Sequence, residues 1–128
     1  MLVRFSTELS DRANRAAIGF ARQLEADRPD GVEEVAPGLV SVLLRLSAAA
    51  DFGRLRGELM LRMGAQMPDA AGTEHRIVIR FDGPDLDEVA ERTGLAREDF
   101  INHHNRAPLR VLATGFAPGF VYCGFHPT

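Results

Sequence analysis

Between Leu2 and Phe81 the apolar residues switch repeatedly between strand spacing and helical spacing, and this succession constrains the fold more than any other feature. Leu2 to Phe5 is a short apolar run that reads as the tail of a strand. Ser10 is a good helix N-cap, because its hydroxyl can accept from the unpaired N–H groups of a first turn. Ala13, Ala16, Ala17, Phe20, Ala21 and Leu24 follow at helical spacing, with Arg12, Arg15, Arg22 and Glu25 off that stripe. Pro29-Asp30-Gly31 has the chemistry of a turn and ends the helix. Val32 to Ala36 is a strand candidate, Pro37-Gly38 a second turn, and Leu39 to Leu46 an alternating strand with Val40, Val42, Leu44 and Leu46 on one face.

Asp51 is placed to cap a second helix running to about Met67, with Phe52, Leu55, Leu59 and Met63 as its stripe. Met60, Met63 and Met67 read as core filler on that helix. Gly53, Gly57 and Gly64 weaken it by about 1 kcal/mol each relative to alanine unless they serve close packing. Pro68 to Gly72 is a small polar loop, and Glu74 to Phe81 alternates again, with Ile77, Ile79 and Phe81 opposite Arg76 and Arg80. Strand, helix, strand, strand, helix, strand is the βαββαβ order of ferredoxin-like domains, an antiparallel sheet covered by two helices. The expected class is therefore α+β.

The remainder reads differently. Asp85 with Glu88 resembles a capping box, and Gly94 suits a helix stop. A second short helix is expected from about Arg97 to His104, then a strand from Pro108 to Thr114, then a turn segment rich in glycine and phenylalanine from Gly115 to Gly124. A chain of 128 residues accommodates one domain, or one small domain and part of a second, and the expected division is 1–72 and 73–128.

Composition removes several classes of function. Fifteen basic against eighteen acidic residues leave a formal charge of −3, without the clustered positive excess of a nucleic-acid footprint. All fifteen basic residues are arginine, so neither a Schiff-base lysine nor the lysine of a phosphate-binding loop operates within this chain. One cysteine, Cys123, excludes an internal disulfide and a multi-cysteine zinc site; with no basic partner in sequence it reads as a buried thiol. No apolar run approaches the ~20 residues that span a bilayer. The first residues carry no secretory signal, and the cytoplasm is the expected location.

One stretch carries a family resemblance. Gly83-Pro84-Asp85-Leu86-Asp87-Glu88-Val89-Ala90, then Thr93-Gly94-Leu95, and the run Gly115-Phe116-Ala117-Pro118-Gly119-Phe120-Val121-Tyr122 resemble the family of the B-type component of bacterial 5-oxoprolinase. That family is also labelled allophanate hydrolase subunit 1 and Kip-type sporulation-kinase inhibitor. Its module recurs as a carboxyltransferase-like domain in urea amidolyase and urea carboxylase proteins. The resemblance implies a small α/β N-terminal lobe followed by a cyclophilin-like β-barrel that begins near Glu74. Such a barrel needs more strands than residues 73–128 supply, so a fragment of a longer protein or a shortened relative is expected. His104 matches the family's histidine before the strand, whereas His103, Leu109, Ala96 and Phe125-His126 depart from its pattern.

The resemblance further implies a hydrolase subunit that is inactive alone, within an assembly that opens 5-oxoproline to glutamate at the expense of ATP. Its partners would be a companion carboxyltransferase-like subunit and a lactam-utilisation subunit. ATP and a divalent metal would belong to the assembly, with no cofactor bound by this chain. Two other readings stay open: a regulator that binds and inhibits a sensor histidine kinase, and a urea-carboxylase-type carboxyltransferase module served by a biotin-bearing partner.

The candidate site residues follow. Gly115, Pro118 and Gly119 could present backbone N–H groups to a ligand, with Phe116, Phe120 and Tyr122 as contacts; the plain alternative is a tight turn whose aromatics fill a core. His104 could supply a proton or a hydrogen bond. If helical, His103 and His104 point about 100° apart and do not share a metal easily. Arg106 and Arg110 flank the signature and could clamp an anion, Arg110 being the stronger candidate, or simply be surface arginines. Asp82, Asp85, Asp87 and Glu88 read as a solvated helix start.

Overall fold

A computed structural model describes residues 1–64 and 72–124. Its described residues form two units, 1–64 with 111–122, and 72–110 with 123–124.

The first unit is built on three short strands, β1 (Leu2–Arg4), β2 (Val32–Pro37) and β3 (Ser41–Leu46), and two helices, α1 (Asp11–Ala26) and α2 (Phe52–Met63). Ser10 starts α1 as expected, its hydroxyl accepting from the Ala13 N–H at 3.2 Å. Asp51 does the same for α2, accepting from the Arg54 N–H at 3.0 Å. The sheet order is β1-β3-β2, antiparallel throughout. Central β3 alternates as its sequence demands: Val42 and Leu44 are buried, while Leu43 and Arg45 are exposed. The Val42 and Leu44 face packs with Ala17, Phe20, Ala21 and Leu24 of α1 and with Leu55 and Leu59 of α2. Phe5 meets Phe20 edge to face at 5.5 Å. Arg62 draws the end of α1 toward α2, donating to the Asp27 carbonyl at 2.7 Å and pairing with Glu58 at 2.5 Å. A cation on the last carbonyls of a helix also opposes its negative dipole end.

Expectations for this unit are corrected in two places. Phe52 (58% exposed) and Met60 (62%) leave the apolar stripe of α2, because the unit's buried core takes only the Leu55, Leu59 and Met63 side of that helix. Met67 lies outside the described residues. Glu74 to Phe81 forms no strand: the sheet has three strands, and Ile77, Val78 and Ile79 stand 77%, 93% and 54% exposed. Alternation makes a strand only where a neighbouring backbone satisfies its N–H and C=O groups, and residues 74–81 have no ladder partner among the described residues.

The second unit carries two short helices, α3 (Leu86–Arg92) and α4 (Arg97–His104). The capping box is not made. Asp85 occupies the N-cap with φ −91° and ψ 0°, and its side chain accepts no cap hydrogen bond, because that backbone is not the extended form that aims a cap side chain at the first turn. The stop is made as expected, and fully. Gly94 adopts φ 73°, its N–H reaches the Glu91 carbonyl at 2.9 Å, and the Leu95 N–H reaches the Ala90 carbonyl at 3.1 Å. This is the paired Schellman closure, which requires a left-handed residue at that position. Arg97 joins the start of α4 to Asp87 of α3 at 3.3 Å.

Beyond α4, strands β4 (Arg110–Thr114) and β5 (Val121–Gly124) pair as a two-stranded sheet. The turn segment expected through Gly124 therefore ends earlier. Val121 and Tyr122 favour extended backbone, and β4 supplies their partner. The molecule thus has mixed α and β structure with antiparallel sheets.

Candidate functional site

The loop between β4 and β5 is where sequence chemistry and geometry converge. Gly115 (φ 105°) and Gly119 (φ 75°) both take left-handed backbone, and an added Cβ at either would meet nothing within 4 Å. Glycine is therefore required there for its φ and not for space. The Phe120 N–H donates to the Ala117 carbonyl at 3.0 Å, enclosing Pro118 and Gly119. Proline followed by a positive-φ glycine, closed by that bond, is the pattern of a type II turn.

This turn gathers three rings. Phe116 and Phe120 lie 5.2 Å apart, Phe120 and Tyr122 5.1 Å, and Phe116 and Tyr122 6.5 Å, all edge to face. The rings satisfy one another's quadrupoles but are not buried, with Phe116 73% exposed. The alternative in which these aromatics fill a core does not hold. Beside them an open cleft of about 530 Å³ is lined by residues 114–121. No titratable side chain lines it, and its polar groups are main-chain amides, carbonyls and the Thr114 hydroxyl. Such a surface can hold and orient a neutral, flat, hydrogen-bonding group. It has no acid or base of its own to move a proton.

Gly115, Phe116, Pro118, Gly119, Phe120 and Tyr122 are thus brought together within the first unit. His104 and Arg110 belong to the second. His104 ends α4, stacked on Phe100 one turn earlier at 6.4 Å and edge-on to Phe81 at 5.4 Å. Its ring is held by aromatic packing, and His103 instead faces the Asp99 carbonyl at 3.2 Å. Cys123 is exposed, correcting the buried thiol, because it sits on a two-stranded sheet with no third layer among the described residues. Among the described residues no three His, Cys, Asp or Glu side chains gather as a metal site, and no helix is long and apolar enough to cross a membrane.

The residue that sequence reasoning missed is Asn14. It is 0% exposed, and its Nδ2 donates to the Leu39 carbonyl at 2.7 Å and to the Leu112 carbonyl of β4 at 2.9 Å. The signal was available: Asn14 lies three and seven residues before Ala17 and Ala21, inside the apolar stripe of α1.

An antiparallel α/β unit carrying a glycine-turned aromatic hairpin defines a class of protein domain that binds through a loop and not through a nucleotide cradle. The family is a particular one. The carboxyltransferase domain, subdomain C and D, matches residues 1–128, and the chain belongs to that family. It is 26% identical over 141 residues to the B-type component of 5-oxoprolinase from Bacillus subtilis (strain 168), covering 97% of this chain and 58% of that protein. Its fold resembles the crystal structure of the protein TTHA0988, with a TM-score of 0.74 and 33% identity over 98% of this chain and 25% of that one. A second crystal form of TTHA0988 gives the same TM-score at 31% identity. The chain therefore spans little more than half the length of its curated relative and a quarter of the solved one.

Proposed function

We propose that this chain serves as a subunit of an ATP-dependent, lactam-hydrolysing assembly of the 5-oxoprolinase type, inactive alone, and that the Gly115 to Tyr122 turn is its contact with substrate. The observation that carries the reading is the neutral cleft of that turn, which suits a cyclic amide: flat, uncharged at the reacting bond, able to donate and accept. Likeness to the B-type component of 5-oxoprolinase over 97% of the chain supports the same assignment. Arg110 would meet a carboxylate carried by the substrate, and His104 would give or take the proton that the turn cannot. ATP and a divalent metal would be held by the companion carboxyltransferase-like and lactam-utilisation subunits, since a chain without lysine has no phosphate-loop lysine to offer. The finer fold description belongs to this proposal too: a ferredoxin-like lobe reduced to three strands, followed by the opening hairpin of a cyclophilin-like barrel, in a cytoplasmic protein.

Co-expression with the companion subunit tests the assembly. Co-elution in size-exclusion chromatography at a fixed stoichiometry is the expected result. Separate elution of a folded monomer contradicts it.

A second reading has one observation in its favour. An apolar groove of about 450 Å³ runs between β1 and α2, bordered by the exposed Leu2, Phe52 and Met60. A sensor-kinase regulator would need such a surface and no reacting group. Binding of the full chain to a histidine-kinase dimerisation domain, lost in Met60→Glu, would favour it; no binding would dismiss it.

A further inference from the structure

Building on the reading that the Gly115 to Tyr122 turn is the functional element, we infer that Asn14 is the positioning residue that sets this turn. It acts from helix α1 by clipping strand β4 in place through its side-chain amide.

The contact reaches 98 positions along the chain, from the first turn of α1 to Leu112, three residues before Gly115. Both hydrogens of the carboxamide are used, one on the Leu112 carbonyl at 2.9 Å and one on the Leu39 carbonyl at 2.7 Å. Leu112 is itself 3% exposed, so its carbonyl is anchored at the buried middle of β4 while the rings of the turn remain open to solvent. Asn14 is the one buried polar residue among those described. Its Oδ1 is buried without a hydrogen-bond partner. Packing alone would favour an apolar side chain there, because an unpaired buried oxygen is costly. What asparagine supplies and leucine cannot is a pair of donors in one plane. Aspartate has the same shape but, ionised, only accepts; serine offers a single donor. The fold thus accepts an orphaned oxygen in order to fix two carbonyls, and one of them belongs to the strand that leads into the turn.

Tyr122 makes this testable without substrate. It is the single tyrosine of a chain that has no tryptophan, so the near-ultraviolet tyrosine band reports the hairpin alone. In Asn14→Leu, measured well below its melting temperature, that band should lose most of its intensity. Amides of residues 111–122 should exchange about tenfold faster or more, as expected when a local opening no longer breaks a tertiary tie. Leu24→Ala, which hollows the core beneath the same helix, is the control for general loss of stability. It should leave both readouts near wild type. An unchanged tyrosine band in Asn14→Leu, or an equal change in Leu24→Ala, overturns the inference. Should Asn14→Leu fail to fold, the wild-type protein still decides: slow exchange of the Asn14 carboxamide protons supports the clip, and exchange at the rate of an exposed asparagine overturns it. None of these readouts depends on activity. A reconstituted assembly that fails to open a lactam would overturn the functional reading while leaving the clip standing.

Discussion

Strand β3 and residues 74–81 are chemically alike, each alternating branched apolar residues with arginine or other polar groups, yet they occupy opposite physical states. β3 lies between β1 and β2, with Val42 and Leu44 at 0% and 1% exposure. Ile77 and Ile79 stand 77% and 54% exposed, with no strand beside them among the described residues. The difference teaches that alternation specifies which face a strand would bury, while the strand itself depends on a backbone neighbour and a layer to cover that face. In the first unit both are supplied within about sixty residues, by hairpin partner β2 and helices α1 and α2.

The contrast can be broken most sharply at its buried end. Leu44→Ala should cost about 2–5 kcal/mol, the range for a large core aliphatic reduced to alanine. Urea denaturation checks it, and a loss under about 1 kcal/mol would mean that β3 is not the packed centre of the unit. Next in size is Gly31→Ala. Gly31 holds φ 84°, and an added Cβ would stand 2.7 Å from the Ala50 Cβ, so strain and crowding combine to about 2–3 kcal/mol. Gly119→Ala has a similar φ but open space, and should cost only the left-handed penalty of about 1 kcal/mol. Comparing these two melting shifts separates φ from packing. Ser10→Ala should remove about 1 kcal/mol through the lost cap on α1. The smallest effect is the most telling for the comparison: Ile79→Ala should change stability by less than about 0.5 kcal/mol, as for an exposed site. A loss near that of Leu44→Ala would mean that residues 74–81 are packed after all.

What the sequence made legible follows the same line. Caps at Ser10 and Asp51, the face of β3 and the Gly94 stop are local decisions, and each was readable from a few neighbouring residues. The fate of residues 74–81 was not, because it turns on whether a distant partner strand exists. The stripe of α2 was half readable: Leu55 and Leu59 reach the core, while Phe52 and Met60 share the spacing but face outward. At the site, the glycines and proline announced the turn. The exposure of its rings, and the pairing of Val121 to Gly124 with β4, depended on layers that no local pattern encodes. Asn14 was visible as a polar residue in an apolar stripe, but its partner lies 98 positions away.

The central claim is that the exposed aromatic turn serves a lactam-opening assembly. Its most direct test is ATP-dependent release of glutamate from 5-oxoproline by the reconstituted complex, comparing wild type with Phe116→Ala. Phe116 is 73% exposed, so its truncation should leave fold and assembly intact. The wild-type complex should turn over, and the variant should lose about tenfold or more through poorer substrate placement. Full activity in Phe116→Ala, or no ATP-dependent turnover by the wild-type complex, would contradict the claim.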